Sequence, residues 1–435
     1  MGVGERLVRS ILSCPTAGSA RPAHGHVPGR QGWGLQRRGE LLQIVEQVWK
    51  KPYASVLNGS DIHLCGTWFP RRPKSLTVTV ITMNSCVASI LVACAIVAPA
   101  MAQSCPSDLN VDGEVNGEDL GAMLSAWGPC TAGTPTCTGD ISQDGAVDGV
   151  DLGLLLAAWG SCPVVTPEWA TLIEARPDPA VVTDPVLRQR IIATGYAWRV
   201  KDTGTQIEML LAPPGTFQMG CSQAPQGMSC FGWELSVHSV TLTRAFYLGR
   251  YEVTQEQWVS RSSANPSFFQ GASVEVPAAL VASRPVDTVS WNAAQAFVAG
   301  AGLRLPTEAE WEYACRAGTL TPFHDGSGNA ETLPGIAWFN VNSAQQTRPV
   351  GLRSANGFGF HDMLGNVWEH CSDFWSDGYP STAQVDPTGP ATGSNHVTRG
   401  SCWANGDIGI RSSYRSSEIP GSTGNGSGFR VARNP

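Results

Sequence analysis

The sequence is poor in charged residues and has no basic patch. Asp, Glu, Lys and Arg make up 15% of its 435 residues, and the formal net charge is −7. A nucleic-acid-binding surface needs clustered Lys and Arg, so the composition argues against a nucleic acid partner. No membrane span is predicted either, because the apolar core at residues 87–97 is too short to cross a bilayer.

Residues 83–102 have the pattern of a bacterial-type secretory signal peptide. An apolar core is followed by Ala100-Met101-Ala102, a small-x-small cleavage pattern. Because a signal peptide stands at the start of a chain, we expect that residues 1–82 come from an upstream start and are not part of the mature protein. The chain should then be secreted to the extracellular space or the cell surface. Its thirteen cysteines fit that oxidising environment.

Residues 103–163 contain a tandem repeat, 105–130 and 137–162, with a period of 32. Oxygen-bearing side chains stand at loop positions 1, 3, 5, 9 and 12 of each copy, and Gly113 or Gly145 stands at the sharp turn, which is typical of a calcium loop. The predicted ligands are Asp108, Asn110, Asp112, Asn116 and Asp119 in the first loop and Asp140, Ser142, Asp144, Asp148 and Asp151 in the second. A short apolar helix follows each loop, and the two helices should pack together.

The repeats resemble those of type I dockerins. The resemblance implies a small all-α module of paired calcium loops and helices, and a cohesin-like or cell-surface partner. Each repeat is bracketed by two cysteines with the same separation. Equal brackets around equal units predict one disulfide per repeat, Cys105–Cys130 and Cys137–Cys162.

Residues 164–205 are predicted to be a linker, or N-terminal extension, with a short helix at 185–192. The large domain then covers 206–435. A strand, a Pro-Pro turn and a second strand are expected near its start, and capping-box spacing at Thr254 and Thr307 predicts two helices. A third helix is expected over 290–299. From residue 319 onward the chain is rich in Gly, Asn and Ser and has few long periodic runs.

Several motifs of residues 206–435 occur together and in a fixed order. They include RPVDTVSWNAAQAF (284–297), RLPTEAEWEYACRAG (304–318), GFHDMLGNVWEHCSDFW (359–375) and GFRVAR (428–433). In these motifs the chain resembles the formylglycine-generating enzyme, or sulfatase-modifying factor, family. The resemblance implies an α+β fold that is C-type-lectin-like, with little regular secondary structure and with structural calcium.

The same motifs contain a second candidate calcium site. Asp362 and Glu369 supply two carboxylates, and the backbone carbonyls of Gly365 and Val367 could supply neutral oxygens. The family resemblance places a calcium site on these four residues. A loop with a solvated Asp and a salt-bridged Glu is the alternative.

The resemblance also implies a copper(I)-binding cysteine pair and a serine that together convert a substrate cysteine to formylglycine. In this chain those positions hold Cys402, Asn405 and Ile410. An amide and an alkyl group cannot replace two thiolates on copper(I). The sequence therefore favours a noncatalytic binding or scaffold module, with calcium and without copper. The alternative is an active oxidase that converts a sulfatase cysteine to formylglycine. A different enzyme on the same fold is a third class, but the sequence contains no set of catalytic residues that indicates one.

A peptide or glycan ligand is expected for the large domain, in a pocket lined by Trp368, Trp403 and Tyr414. The remaining cysteines are interpreted structurally. Cys221 and Cys230 are spaced for a local disulfide, Cys315 is expected to be a buried free thiol, and Cys371 and Cys402 lie on segments that should meet. Three scattered histidines, His361, His370 and His396, are likewise interpreted as structural.

Overall fold

The computed structural model describes residues 105–131, 137–222 and 229–435. The expected signal peptide at 83–102 and the upstream segment 1–82 lie outside these residues. Within the described part of the chain, no helix is both long enough and apolar enough to cross a membrane.

The α-helices of the described residues are short, with at most nine residues each. They are α1 (Gly117–Ser125), α2 (Gly149–Ala157), α3 (Pro185–Ile192), α4 (Gln255–Val259), α5 (Trp291–Ala299), α6 (Glu308–Arg316) and α7 (Leu333–Ile336). Capping boxes begin α4 at Thr254 and α6 at Thr307. Asp184 caps α3, and Pro185 occupies its first turn. These local signals explain why the sequence located the helices.

The strands of the described residues fall into two groups. The repeats contain β1 (Glu114–Val115), β2 (Gly128–Pro129), β3 (Ala146–Val147) and β4 (Gly160–Ser161). The rest of the chain contains β5 (Ala170–Glu174), β6 (Arg199–Asp202), β7 (Glu208–Ala212), β8 (Gly215–Met219), β9 (His238–Leu242), β10 (Phe246–Gly249), β11 (Trp368–Phe374), β12 (Gln384–Val385), β13 (His396–Arg399), β14 (Arg415–Glu418), β15 (Ser427–Gly428) and β16 (Ala432–Arg433).

Within the described residues, three sheets build the large domain. The five-stranded sheet has the order β16-β10-β7-β6-β5, the four-stranded sheet β14-β13-β11-β15, and the three-stranded sheet β12-β9-β8. The expected strand, Pro-Pro turn and strand are β7 and β8, but the two strands belong to different sheets. Mixed helices and sheets confirm the α+β expectation for this domain.

The segment predicted as a linker contributes to the five-stranded sheet. β5 pairs with β6, and β6 pairs with β7, all antiparallel. The side chains of Val200 and Trp198 are buried in the core of the large domain. Residues 164–205 are therefore built into the sheet, and only α3 was expected there. The strands were missed because their pairing is non-local.

Two short ladders join the repeats, in addition to α1 and α2. β1 pairs with β4, and β2 pairs with β3, so the segment after each helix pairs with the loop of the other repeat. Val115, Met123, Val147 and Leu155 form a shared small core. The two apolar helices thus bury their faces together, as the sequence predicted, and the ladders are an addition to the expected all-α module.

The predicted disulfides of the repeats are wrong. The structure contains Cys105–Cys162 and Cys130–Cys137 instead of one bridge within each repeat. The physical reason is that the strands pair between the repeats. The pairing of β1 with β4 places the end of the second repeat beside the first loop, and the pairing of β2 with β3 places the end of the first repeat beside the second loop. Cys162 N donates to Gly113 O at 2.8 Å, and Cys130 N donates to Gly145 O at 2.9 Å.

The cysteines of the large domain follow the expectation. Cys221 and Cys230 form the local disulfide, and Cys315 is a buried free thiol. Cys371 lies on β11, which pairs with β13, and Cys402 follows β13 closely. The two segments therefore meet, and both thiols are free and buried.

Buried ion pairs connect α6 to the sheet of β11. Trp311, Tyr313 and Ala314 of α6 are buried as predicted, but Glu308 and Glu312 are buried as well. Glu312 pairs with Arg316 and Arg399, and Glu308 pairs with Arg415. A buried charge is tolerated when it is paired and hydrogen-bonded. The core is therefore partly ionic, a property that the apolar periodicity of the sequence does not reveal.

Candidate functional site

The first predicted calcium loop closes around Asp108. Its two carboxylate oxygens accept hydrogen bonds from Asp112 N at 3.0 Å and from Gly113 N at 2.8 Å. Gly113 has φ +94°, a conformation that favours glycine. Asp119, at the first turn of α1, accepts from Leu109 N at 2.7 Å and Asn116 N at 2.8 Å. Backbone N–H groups of the loop therefore fix the positions of both carboxylates.

The second loop repeats this geometry. Asp140 accepts from Asp144 N at 3.1 Å and Gly145 N at 3.0 Å. Asp151, at the first turn of α2, accepts from Ser142 N at 2.8 Å and Asp148 N at 2.9 Å. The two loops therefore share one backbone plan, as their sequence similarity predicts.

The chemistry of both loops fits a hard cation. Asp119 and Asp151 are fully buried, and neither forms an ion pair within the described residues. The oxygens of both carboxylates are held by backbone N–H groups, and Ca²⁺ prefers clustered oxygen ligands of this kind. The residues that would hold calcium are the ten predicted loop ligands, and calcium binding itself stays a prediction.

Three buried carboxylates meet at the second candidate site. They are Glu252, Asp362 and Glu369, each at most 1% exposed. Arg430 donates to both oxygens of Glu369, at 2.5 and 2.6 Å, and Trp311 Nε1 donates to Oε2 at 2.6 Å. The salt-bridged Glu that the sequence left as an alternative is therefore present.

Asp362 differs from Glu369 because it is buried and incompletely bonded. Its Oδ2 accepts from Gly351 N at 2.6 Å, whereas Oδ1 has no hydrogen-bond partner among the described residues. Burial, together with the charge of Glu369, raises the pKa of Asp362 to about 6. Burial and the charges of Asp362 and Glu369 raise the pKa of Glu252 well above its usual range. This excess of negative charge fits a cation beside Asp362.

The backbone between Asp362 and Glu369 turns sharply. Asp362 has φ +54°, Gly365 +84° and Asn366 +58°. A Cβ at Gly365 would lie 2.1 Å from Trp338 O, so only glycine fits there. Val367 follows in the buried core and its N donates to Glu252 Oε1 at 3.1 Å. Sequence reasoning anticipated the glycine and missed Glu252, whose motif YEVT gave no sign of a buried carboxylate.

At the three positions of the expected copper chemistry, Cys402 and Asn405 are in contact and Ile410 is buried. Cys402 Sγ donates to Asn405 Oδ1 at 2.8 Å. Burial raises the pKa of the Cys402 thiol, which disfavours the thiolate that binds metal. Ile410 is fully buried in the apolar core. The three side chains together offer one protonated thiol, one amide and one alkyl group.

The other free thiols are not partners for Cys402. Burial raises the pKa of Cys315 to about 12 and raises the pKa of Cys371 well above its usual range. Neither thiol forms a disulfide with Cys402. Both lie in the core around α6 and β11, where they act as apolar side chains.

Two of the three aromatic residues of the predicted pocket pack against each other, and the third packs against a different ring. Trp368 and Tyr414 pack together with ring centroids 5.8 Å apart. Trp403 is buried, packs edge-on against Phe269 at 5.3 Å, and donates from Nε1 to Asn425 O at 2.9 Å. The turn that contains Asn425 lies beside both groups, because Trp368 N donates to Gly426 O at 2.7 Å.

The three histidines lie in structural contacts. His361 Nδ1 donates to Arg353 O at 2.8 Å, and His370 Nε2 donates to Val289 O at 2.9 Å. His396 stacks on Trp291 with ring centroids 3.7 Å apart. Burial lowers the pKa of His370 to about 4, so this histidine is neutral near pH 7.

Comparison with known proteins identifies the large domain. Residues 197–435 match the Sulfatase-modifying factor enzyme 1-like domain. This match covers more than half of the chain, and the chain therefore belongs to the sulfatase-modifying factor family.

Individual relatives agree with this membership. The chain is 40% identical over 167 residues to the formylglycine-generating enzyme of Streptomyces coelicolor, which covers 34% of this chain and 52% of that enzyme. It is 36% identical over 168 residues to the formylglycine-generating enzyme of Mus musculus, covering 34% and 44%. The chain thus spans about half the length of these relatives.

Among solved structures, Treponema denticola variable protein 1 is similar over 53% of this chain and 95% of that chain, with 28% identity and a TM-score of 0.48.

One contact between the repeats and the following segment could not be predicted from the sequence. Arg176, from the segment after β5, donates to Gly113 O at 3.1 Å and to Cys162 O at 2.9 Å. Gln189 of α3 donates to Asn110 O at 2.9 Å. The first predicted calcium loop is therefore attached to the segment that leads into the large domain. Only the tertiary structure brings these distant residues together.

Proposed function

We propose that the chain is a secreted, noncatalytic member of the sulfatase-modifying factor family. Its large domain binds a peptide or glycan, and its calcium-binding, dockerin-like repeats attach it to a partner. Calcium occupies the two loops and the Asp362–Glu369 site. The signal peptide at 83–102 supports export, and the mature chain begins at Gln103. N-terminal sequencing of the exported protein checks that start.

One observation carries the noncatalytic proposal. The thiol of Cys402 is hydrogen-bonded to the amide of Asn405 at 2.8 Å, and the third family position holds the buried Ile410. Copper(I) prefers soft thiolate ligands, and this arrangement supplies a single thiol whose pKa is raised by burial.

The repeats support the docking part of the proposal. Leu124 and Trp127 are half-exposed, and Leu156 and Trp159 are half-exposed at the equivalent places of the second repeat. Exposed apolar groups of this size are characteristic of binding surfaces. A cohesin-like or cell-surface protein is the proposed partner. Replacing Trp127 and Trp159 by serine should abolish calorimetric binding of a purified type I cohesin domain, and unchanged binding would contradict the proposal.

A copper(I) competition titration tests the noncatalytic proposal. The unaltered protein should not withdraw copper(I) from a chromogenic chelator, because it offers no thiolate pair. Asn405→Cys combined with Ile410→Cys should gain copper(I) affinity, and this variant shows that the assay detects a restored pair. Tight copper(I) binding by the unaltered protein that is lost in Cys402→Ser would contradict the proposal.

An active formylglycine-generating oxidase is the second candidate. The names of the Streptomyces coelicolor and Mus musculus relatives favour it. It would convert a sulfatase cysteine to formylglycine, and it would require that residues other than Asn405 and Ile410 complete the site. Peptide turnover decides between the two candidates.

A further inference from the structure

A cavity of about 470 Å³ opens between α6, β11 and the loop that follows β11. This volume lies in the range of about 300–1,000 Å³ that is usual for small-molecule sites. Its apolar walls include Met219, Ala309, Phe374 and Pro380. None of the residues that line this cavity belongs to the predicted aromatic pocket of Trp368, Trp403 and Tyr414 or to the predicted calcium ligands. The cavity is therefore a separate feature of the large domain.

Asp373 is the polar group that distinguishes this cavity. The residue is only 4% exposed. Its Oδ2 accepts from Glu308 N at 3.0 Å and from Ser372 Oγ at 2.9 Å. No group of the described residues donates a hydrogen bond to Oδ1, and no cation pairs with this carboxylate there. Asp373 therefore presents a free acceptor oxygen inside the cavity.

The neighbouring carboxylate, Glu308, has no free acceptor oxygen of this kind. Glu308 also lines the cavity, but Arg415 donates to both of its oxygens at 2.7 Å. Tyr379 donates from its hydroxyl to Glu308 Oε1 at 2.9 Å. Both oxygens of Glu308 are therefore paired with the Arg415 cation, whereas Asp373 has no cationic partner among the described residues.

His238 also lines the cavity wall. Its Nδ1 lies 2.9 Å from Ser236 O, and because a carbonyl can only accept, Nδ1 must be the donor. The ring packs against Tyr379 with centroids 5.2 Å apart, so its orientation in the cavity is fixed.

We propose that this cavity binds a small organic cation, a primary ammonium carried on an apolar or aromatic body. The ammonium would donate to Asp373 Oδ1, and the apolar body would lie against Met219, Phe374 and Pro380. A buried carboxylate that lacks its counter-ion is costly, and a ligand ammonium supplies that charge with three donors. The proposal is independent of whether the large domain has lost its catalytic groups.

Calorimetric titration with 2-phenylethylammonium, and with its neutral analogue 2-phenylethanol, tests the proposal on the mature chain. At about pH 8, where Asp373 is ionised, the ammonium should bind at least about tenfold more tightly than the alcohol. Asp373→Asn keeps an oxygen for Glu308 N and should remove this preference. Asp325→Asn, at an exposed acid outside the cavity, is the matched control and should leave it unchanged.

A second variant keeps the test independent of the buried core. Thr388 is exposed and lines the mouth of the cavity, so Thr388→Trp should block both ligands without disturbing the fold. Equal affinity for the ammonium and the alcohol would overturn the proposal. Ammonium binding that survives in Thr388→Trp, or that is weaker than about 10 mM in the unaltered chain, would overturn it as well.

Discussion

Asp373 is a carboxylic acid that should keep its proton up to neutral pH in the folded protein. Burial, and next the charge of Glu308, raise its pKa to about 7. The ordinary value is 3.8, so the folded state binds more protons than the unfolded state between these two values. Stability is therefore greatest below the ordinary value and falls as the pH rises through about 7.

Asp373→Asn should remove this pH dependence. The melting temperature of the variant, relative to the unaltered protein, should increase by roughly 3 °C or more between about pH 5 and about pH 8. Thermal melts of both proteins across this range measure the difference, with Asp325→Asn as the control. A difference that stays constant with pH would show that Asp373 ionises as an ordinary surface acid.

Glu369 should stabilise the large domain in two ways that a single substitution separates. Arg430 bonds to both of its oxygens in the core, and loss of one member of a buried pair costs about 3–5 kcal/mol. Glu369→Gln should therefore lower the melting temperature even in chelator. If calcium also binds there, calcium should stabilise the unaltered protein more than the variant. Identical losses with calcium and with chelator would contradict calcium at this site.

The two predicted calcium loops are the elements for which the sequence predicts a function most directly. Calorimetry on the mature chain should show calcium binding, and Asp119→Ala or Asp151→Ala should each abolish binding at one loop, because each carboxylate occupies the last ligand position. Glu114→Gln is a matched control, since it removes a loop carboxylate outside the side-chain ligand positions. Calcium heat that is absent, or unchanged in both alanine variants, would contradict the assignment.

Elements with local signals were predictable, and those that depend on partners were not. Thr254 and Thr307 mark α4 and α6 because a capping box involves residues only three apart. The disulfide partners of Cys105 and Cys130 depend on which strands pair, a non-local choice that equal sequence brackets do not encode. Glu312 and Arg399 resemble surface charges in the sequence, yet they meet in the core. At the candidate site, Gly365 was predictable from its motif, whereas Glu252 was not.

At the scale of the whole molecule, Arg176 attaches the repeats to the segment that precedes the large domain. Arg176→Ala should free the first loop and accelerate amide hydrogen exchange of Gly113 and Cys162 by roughly tenfold, because two hydrogen bonds from the guanidinium are lost. Arg188→Ala is the control, since among the described residues Arg188 bonds to Val182 O and Thr183 O of its own segment. Equal exchange in all three proteins would show that Arg176 does not hold the loop.

Peptide turnover tests the central claim most directly. The mature chain is incubated with copper and a Cys-x-Pro-x-Arg peptide, and the peptide is then examined by mass spectrometry for the aldehyde. We expect no aldehyde, because Asn405 and Ile410 cannot replace a thiolate pair and the remaining thiol of Cys402 is buried and hydrogen-bonded. Formation of formylglycine by the unaltered protein, with loss of that activity in Cys402→Ser, would contradict the noncatalytic account.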